Sequence, residues 1–179
     1  MYSYITKNQL ERKEEESVHQ SLDVIKDNAS EMVAKLNDIV WAVNPLEDNL
    51  SALIERLKDF ALQIAVTKNI AVDFELDQNI TAVKLTMEQR KNIYLICKEA
   101  INNAVKYSFA NLLKIKVAVL HKNLFISLAD NGVGFQSTSV SKGNGLINMA
   151  SRAKEISAEI DINSEIDKGT TINLTCKIT

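Results

Sequence analysis

Apolar residues in the first quarter of the chain recur in alternating steps of four and three: Val18, Leu22, Ile25, Ala29, Met32, Leu36, Ile39 and Val43. Heptad spacing of this kind lays an apolar stripe along one side of a helix that packs lengthwise against other helices. Pro45 stops it, because a proline disfavours helix in the residue before it and has no N–H of its own. A helix of roughly 28 residues is about 42 Å long. One small domain does not cover that length, so the stripe is expected to bury itself in a dimeric bundle; an ordinary long core helix is the plainer alternative. Upstream, the polar stretch Gln9 to Ser17, with Glu14, Glu15 and Glu16 in succession, reads as a loop or a solvated first turn, and Met1 to Leu10 as the end of an earlier helix.

After NPLEDN the helical period returns at Leu53, Ile54, Leu57, Phe60, Ala61, Ile64 and Ala65, and closes near Lys68 and Asn69, residues suited to a helix C-terminus. From Ile70 the period changes to two. Ile70, Val72, Phe74 and Leu76 alternate with small or acidic residues and predict a strand, and Thr86 is placed to cap a helix running to about Ser108. Leu113 to His121 and Leu124 to Asp130 predict two strands joined tightly at Lys122 and Asn123 as an antiparallel hairpin. A glycine loop, a serine-rich stretch from Gln136 to Lys142, a helix from about Gly145 to Ile156 and a closing hairpin, Ala158 to Ser164 and Thr170 to Ile178, complete the pattern. This order predicts an α+β two-layer sandwich, a mixed sheet covered by helices on one face and preceded by the long helix. The expected division is a helical region over residues 1–46 and a second domain over 47–179.

Composition narrows the partners. With 179 residues, 46% of them hydrophobic, the chain is long enough for one good core and a smaller appendage. A formal net charge of −2, with acids and bases mixed throughout, supplies no basic face for nucleic acid. Cys97 and Cys176 have no partner at metal-ligand or redox spacing and read as reduced core thiols. No apolar run reaches the roughly 18 residues of a membrane span, so this segment is expected to be soluble and cytoplasmic, whether or not a membrane anchor precedes it.

The candidate chemistry lies in three segments. DNGVGF, Asp130 to Phe135, sets an acid at the end of an apolar strand with a glycine pair behind it. An ionised carboxylate accepts a hydrogen bond from the exocyclic amine of adenine, where guanine has a carbonyl, and Gly132 and Gly134 let backbone pass close to the ring. Alone, DNG is more often a plain turn. In KEAINNAVKYS, Lys98 to Ser108, Glu99 and Asn103 stand four apart and share a helical face. The Asn103 carbonyl oxygen suits Mg2+, which keeps most of its waters and needs few protein ligands beside phosphates. Glu99, one turn earlier, can orient or deprotonate an attacking group, while Lys106 and Tyr107 can reach phosphate and ribose. A charged, solvated helix face explains Glu99 and Lys106 equally well when each is taken alone. GNGL, Gly143 to Leu146, offers backbone N–H groups at a helix N-terminus to phosphate oxygens. Thr170 can hydrogen-bond Asp130 or a bridging water if their strands adjoin. Asn102 reads as a surface amide and Arg152 as structural. In combination the three segments read as a Mg-ATP site.

In this order, Glu99, Asn103, DNGVGF, GNGL and Gly169-Thr170 resemble the ATP-binding domain, with its Bergerat fold, of the gyrase, heat-shock chaperone, histidine kinase and mismatch-repair superfamily, over about Leu53 to Thr179. The resemblance implies Mg2+ on Asn103, adenine on Asp130, and a phosphate lid bounded by Gly132, Gly134, Gly143 and Gly145. KEAINNAVKYS and GNGLINMASRA, Gly143 to Ala153, look like two-component sensor histidine kinases of the nitrate-sensor and desaturase-thermosensor type. DIVWAVNP, Asp38 to Pro45, is similar to the end of the dimerisation helix in such kinases. Residues 11–44 then resemble the second helix of a dimerisation and phosphotransfer bundle. The resemblance further implies a homodimer, transfer of the ATP γ-phosphoryl to a histidine, and a response regulator as downstream partner.

The chain departs from that class at its histidines. The class carries its acceptor in the first helix, directly before aspartate or glutamate, whereas His19 precedes Gln20 and lies too near Trp41, in the second. His19 is therefore read as a surface or bundle-packing residue and His121, at a strand end, as structural. The acceptor is expected outside this chain, which leaves the isolated chain unable to phosphorylate itself. Two rival readings stand beside this one: an anti-sigma-factor serine kinase, which shares the nucleotide site, and a dimeric adaptor with a degenerate nucleotide fold.

Overall fold

Helix α1 spans Glu15–Val43, 29 residues, in the computed structural model, which describes residues 15–44, 49–77, 80, 83–136 and 144–178. It runs unbroken to the edge of the proline segment, as the heptad spacing predicts. Within this chain most of the apolar stripe is open: Leu22, Met32, Leu36 and Ile39 are exposed, Met32 at 65% and Leu36 at 60%, with Val33 and Val40 exposed beside them. Val18, near the start, is buried. The expected helix over Met1 to Leu10 and most of the polar stretch after it lie outside the described residues. Contacts divide the chain into two compact units, Met1–Val43 and Asn44–Thr179.

The second unit opens with α2, Leu50–Ala65, whose N-cap is Asn49: its side-chain oxygen accepts from the Ala52 N–H at 2.7 Å. This start is three residues earlier than the apolar period marks, because the cap and not the stripe sets the end. Leu50, Leu53, Ile54, Leu57, Ala61 and Ala65 are its buried face. A single 3-10 turn, Val66–Lys68, and a left-handed Asn69 at φ 56° close it, which matches the expected C-terminus. Helix α3, Met87–Tyr107, begins in a capping box in which Thr86 and Gln89 satisfy each other's backbone N–H groups. Ser108 ends it. Helix α4 is Asn144–Glu155, and α3 lies between α2 and α4, packed against both.

Five strands, β1 Ala71–Leu76, β2 Leu112–Leu120, β3 Asn123–Asp130, β4 Glu159–Glu165 and β5 Gly169–Lys177, form one sheet in the order β1-β2-β3-β5-β4. Only β1 and β2 run parallel; the other pairs are antiparallel. The β2–β3 turn sits one residue earlier than expected. Its central residues are His121 and Lys122, both left-handed at φ 50° and 62°, while Asn123 pairs with Leu120 in the ladder. Left-handed backbone at both central positions is the turn whose twist fits a two-residue hairpin, and that geometry selected the pair.

Strand register lines up side chains in rows across the sheet. Phe74, Ile115, Leu128, Ile172 and Ile162 make one row, and Leu76, Val117, Ile126, Leu174 and Ile160 the next. Their central members are buried, while Lys114, Lys116, Ser127, Thr171 and Asn173, on the alternating positions, are not. The third row, on the same face, changes character along its length: Val72, Leu113, Asp130, Thr170, Ser164. A sheet with one apolar face under helices is the predicted α+β sandwich. Six non-glycine residues among those described, Asn69, Phe109, His121, Lys122, Ser157 and Asp167, hold left-handed backbone. No helix among the described residues is long and apolar enough to cross a membrane.

Candidate functional site

The polar third row opens onto a cavity of about 470 Å3 between α3, the DNGVGF loop and the start of α4. Leu113, Leu128 and Ile172 from the sheet form its apolar floor, and Glu99, Asn103, Ala104 and Tyr107 form the α3 wall. Phe135 and Gly134 close one side, and Asn144, Gly145 and Leu146 at the first turn of α4 the other.

Asp130 is the ionisable group that the sheet contributes to the cavity lining. It shares a face with the buried Leu124, Ile126 and Leu128, each two residues apart on β3. Burial there pushes its carboxyl above the ordinary carboxylate range, and the backbone N–H groups of Gly132 and Thr170, which favour the ionised form, offset this only in part. The Gly132 N–H donates to Oδ1 at 2.9 Å. The expected link between Thr170 and Asp130 is therefore made by the backbone. The Thr170 hydroxyl is paired instead with Ser164 Oγ at 2.9 Å, and that same oxygen accepts from the Phe135 N–H at 2.8 Å.

The glycine loop is fixed from both ends. The Val133 N–H donates to the Ser108 carbonyl, and the Asp167 N–H to the Val133 carbonyl, both at 2.8 Å. Asn131 faces away from the cavity, its Oδ1 accepting from the Asn111 and Leu112 N–H groups and its Nδ2 donating to Asn111. Gly169 sits at φ 83°, where a Cβ would overlap the Asp130 carbonyl. A side chain there would meet both a strained backbone and a filled space.

Of the residues singled out by sequence, Glu99, Asn103, Tyr107, Asp130, Gly134, Gly145, Leu146 and Thr170 converge on the cavity. Gly132 stands beside it through its amide. Lys106 does not line it and is exposed. At about 100° per residue, the face that carries Glu99, Asn103, Tyr107 and Ser108 is centred past Asn103 in the direction of Ala104, which turns Lys106 outward. Gly143 lies outside the described residues. Sequence reasoning missed Ser108, Phe135 and the floor of Leu113, Leu128 and Ile172. The floor residues were legible only as core, and strand register was needed to place them under Asp130.

The family described as "Histidine kinase-, DNA gyrase B-, and HSP90-like ATPase" matches residues 88–179, just over half of the chain. The chain belongs to that family. The family is one of ATPases, so ATP use comes with membership. The oxygen sensor histidine kinase NreB of Staphylococcus carnosus is 29% identical over 114 residues, 63% of this chain and 33% of that protein. This chain thus spans about a third of that relative's length. The histidine kinase AdeS of Acinetobacter baumannii has the same fold at a TM-score of 0.66 and 16% identity, covering 100% of this chain and 96% of that one. The histidine kinase domain of the blue-light activated kinase of Erythrobacter litoralis superposes at 0.60 with 20% identity, over 70% of this chain and 61% of that one. These solved structures share this chain's fold.

Proposed function

We propose that this chain is the ATP-binding catalytic region, with part of the dimerisation bundle, of a sensor histidine kinase. Residues 47–179 hold ATP, and residues 1–46 supply a helix of the dimeric phosphotransfer region. The γ-phosphoryl goes to a histidine outside this chain and from there to a response regulator. The observation that carries this reading is Asp130: a carboxylate at the end of the apolar face of β3, buttressed by two backbone amides and lining a cavity with an apolar floor. Such a group accepts a hydrogen bond from the amine of an adenine stacked over Leu113, Leu128 and Ile172.

At the other end of the cavity, Asn103 and Glu99 occupy successive turns of α3 and face the first turn of α4. Among the described residues no group of three or more His, Cys, Asp or Glu is placed to hold a metal ion; the candidate donors here are the Asn103 amide and the Glu99 carboxylate. That donor set fits Mg2+ held by one amide oxygen, from Asn103, with its remaining ligands drawn from phosphates and water. When bound, the ion neutralises charge on the β- and γ-phosphates. Glu99 orients the incoming acceptor, and the exposed N–H groups at the start of α4 receive phosphate oxygen. The open stripe of α1 supports a homodimer through that helix. We place the region in the cytoplasm, where ATP is supplied.

Calorimetric titration with a non-hydrolysable ATP analogue, with and without Mg2+, tests the site. Mg2+-assisted binding that weakens in Asn103→Asp supports it. Absence of binding at millimolar nucleotide would leave the dimeric adaptor instead. Addition of a histidine-bearing bundle segment to the chain tests the kinase step: a phosphoryl label on serine of a protein substrate, with none on histidine, would favour the serine kinase.

A further inference from the structure

Helices α3 and α4 touch at two places that are seven residues apart on each. At the cavity end, Gly145 lies so close to Glu99 that a Cβ on it would overlap the carboxylate Oε1. At the far end, Arg152 Nη1 donates to Asn92 Oδ1 at 3.4 Å. Glu99 and Asn92 are two turns apart on α3, as are Gly145 and Arg152 on α4, so the helices run antiparallel with contacts roughly 10 Å apart. Met149 and Ala153 are the buried residues of α4.

Asn92 is fully buried, and its Nδ2 has no hydrogen-bond partner. A buried amide of this kind is costly inside an apolar seam. Its bond from Arg152 is a polar contact between the two helices at this level. Neither Asn92 nor Arg152 lines the cavity. We infer that Arg152 is a positioning residue: through Asn92 it fixes the register of α4 on α3, and so holds Gly145 against Glu99 at the phosphate side of the site. The inference rests on the nucleotide reading above and adds to it a residue that acts at a distance. Asp130 is held by β3 and β5 and is independent of this link.

The independence supplies the test. The triphosphate end should depend on the seam and the adenine end should not. The probes are a non-hydrolysable ATP analogue with Mg2+, followed by calorimetry, and adenosine alone, followed by NMR titration. In Arg152→Gln the Kd for the analogue is expected to rise by up to about tenfold, as a displaced α4 loosens the phosphate side of the site, with adenosine changed by less than about twofold. Arg152→Lys keeps a cationic donor and should recover most of the loss. Asn92→Leu, which removes the acceptor without leaving a cavity, should act like Arg152→Gln.

A structural defect alone would weaken both ligands together. An unchanged ratio of the two affinities in Arg152→Gln, whether both fall or neither does, overturns the inference while leaving the nucleotide site in place. A parent chain that binds neither ligand removes the nucleotide reading, and this inference with it.

Discussion

Asp130 and Thr170 stand directly opposite each other in the β3–β5 ladder, and the backbone N–H of Thr170, with that of Gly132, supports the Asp130 carboxylate. Support from main chain leaves the acid's identity as the variable part of the pocket. Asp130→Asn keeps size and backbone contacts but swaps an acceptor oxygen for an amide. It should weaken ATP binding by about 1.5 to 3 kcal/mol, the usual worth of a hydrogen bond to a charged group. Calorimetry on parent and variant reads the difference, and equal affinities would remove the adenine role.

Stability should move the other way. Burial raises the folded-state pKa of Asp130 above its ordinary value of 3.8, so between those two values the folded chain binds more protons than the unfolded one. The acid's contribution is thus most favourable below about pH 4 and is lost as pH rises through the folded pKa. Nucleotide-free Asp130→Asn is expected to be the more stable chain at pH 7, with the gap closing toward pH 4. Urea unfolding at the two pH values measures this, and a gap independent of pH would mean that the desolvated charge is not its source.

Leu36 lies on the open stripe of α1 and is 60% exposed. A charge there costs the single chain little but opposes burial of the stripe against a second copy. Leu36→Glu should therefore shift sedimentation from dimer to monomer while the melting of the ATP-binding unit stays within a few degrees of the parent, as for a surface change. A dimer of unaltered mass would place the interface elsewhere.

Burial pushes the Cys97 thiol up to about 12, and Cys176 is raised for the same reason. Thiolate is the reactive form, so neither should react with iodoacetamide at pH 7.5 in the folded chain. Mass spectrometry is expected to find both labelled only after denaturant is added. Rapid labelling of Cys97 in the native chain would contradict its placement.

Much of this could be read from the residues themselves. The extent of α1, the strand periods, the Thr86 cap and the pairing of Glu99 with Asn103 all follow from local rules that tertiary contacts did not override. The misses share a cause. Lys106 and Tyr107 both follow Asn103 by about one turn, and only the position of the cavity on that helix decides between them. Whether Thr170 meets Asp130 through its hydroxyl or its amide depends on where Ser164 stands in the next strand. The two-residue hairpin slipped by one because Lys122 and Asn123 suit left-handed backbone no less than His121 does. Asn92 and Arg152 are sixty residues apart in sequence, and nothing local marks them as neighbours.

The chain holds five glycines, and the four described ones sit at the cavity or against Asp130 and its loop. The six non-glycine left-handed positions among the described residues carry side chains, with strain of about 1 kcal/mol or more at those that are not Asn or Asp. Loose backbone is thus reserved for one opening, while the frame is turned by stiffer residues. An engineer who wants endurance can relax corners such as Lys122 or Ser157 to glycine without entering the cavity. Toughness and recognition occupy separate addresses along this chain, and each can be revised without renegotiating the other.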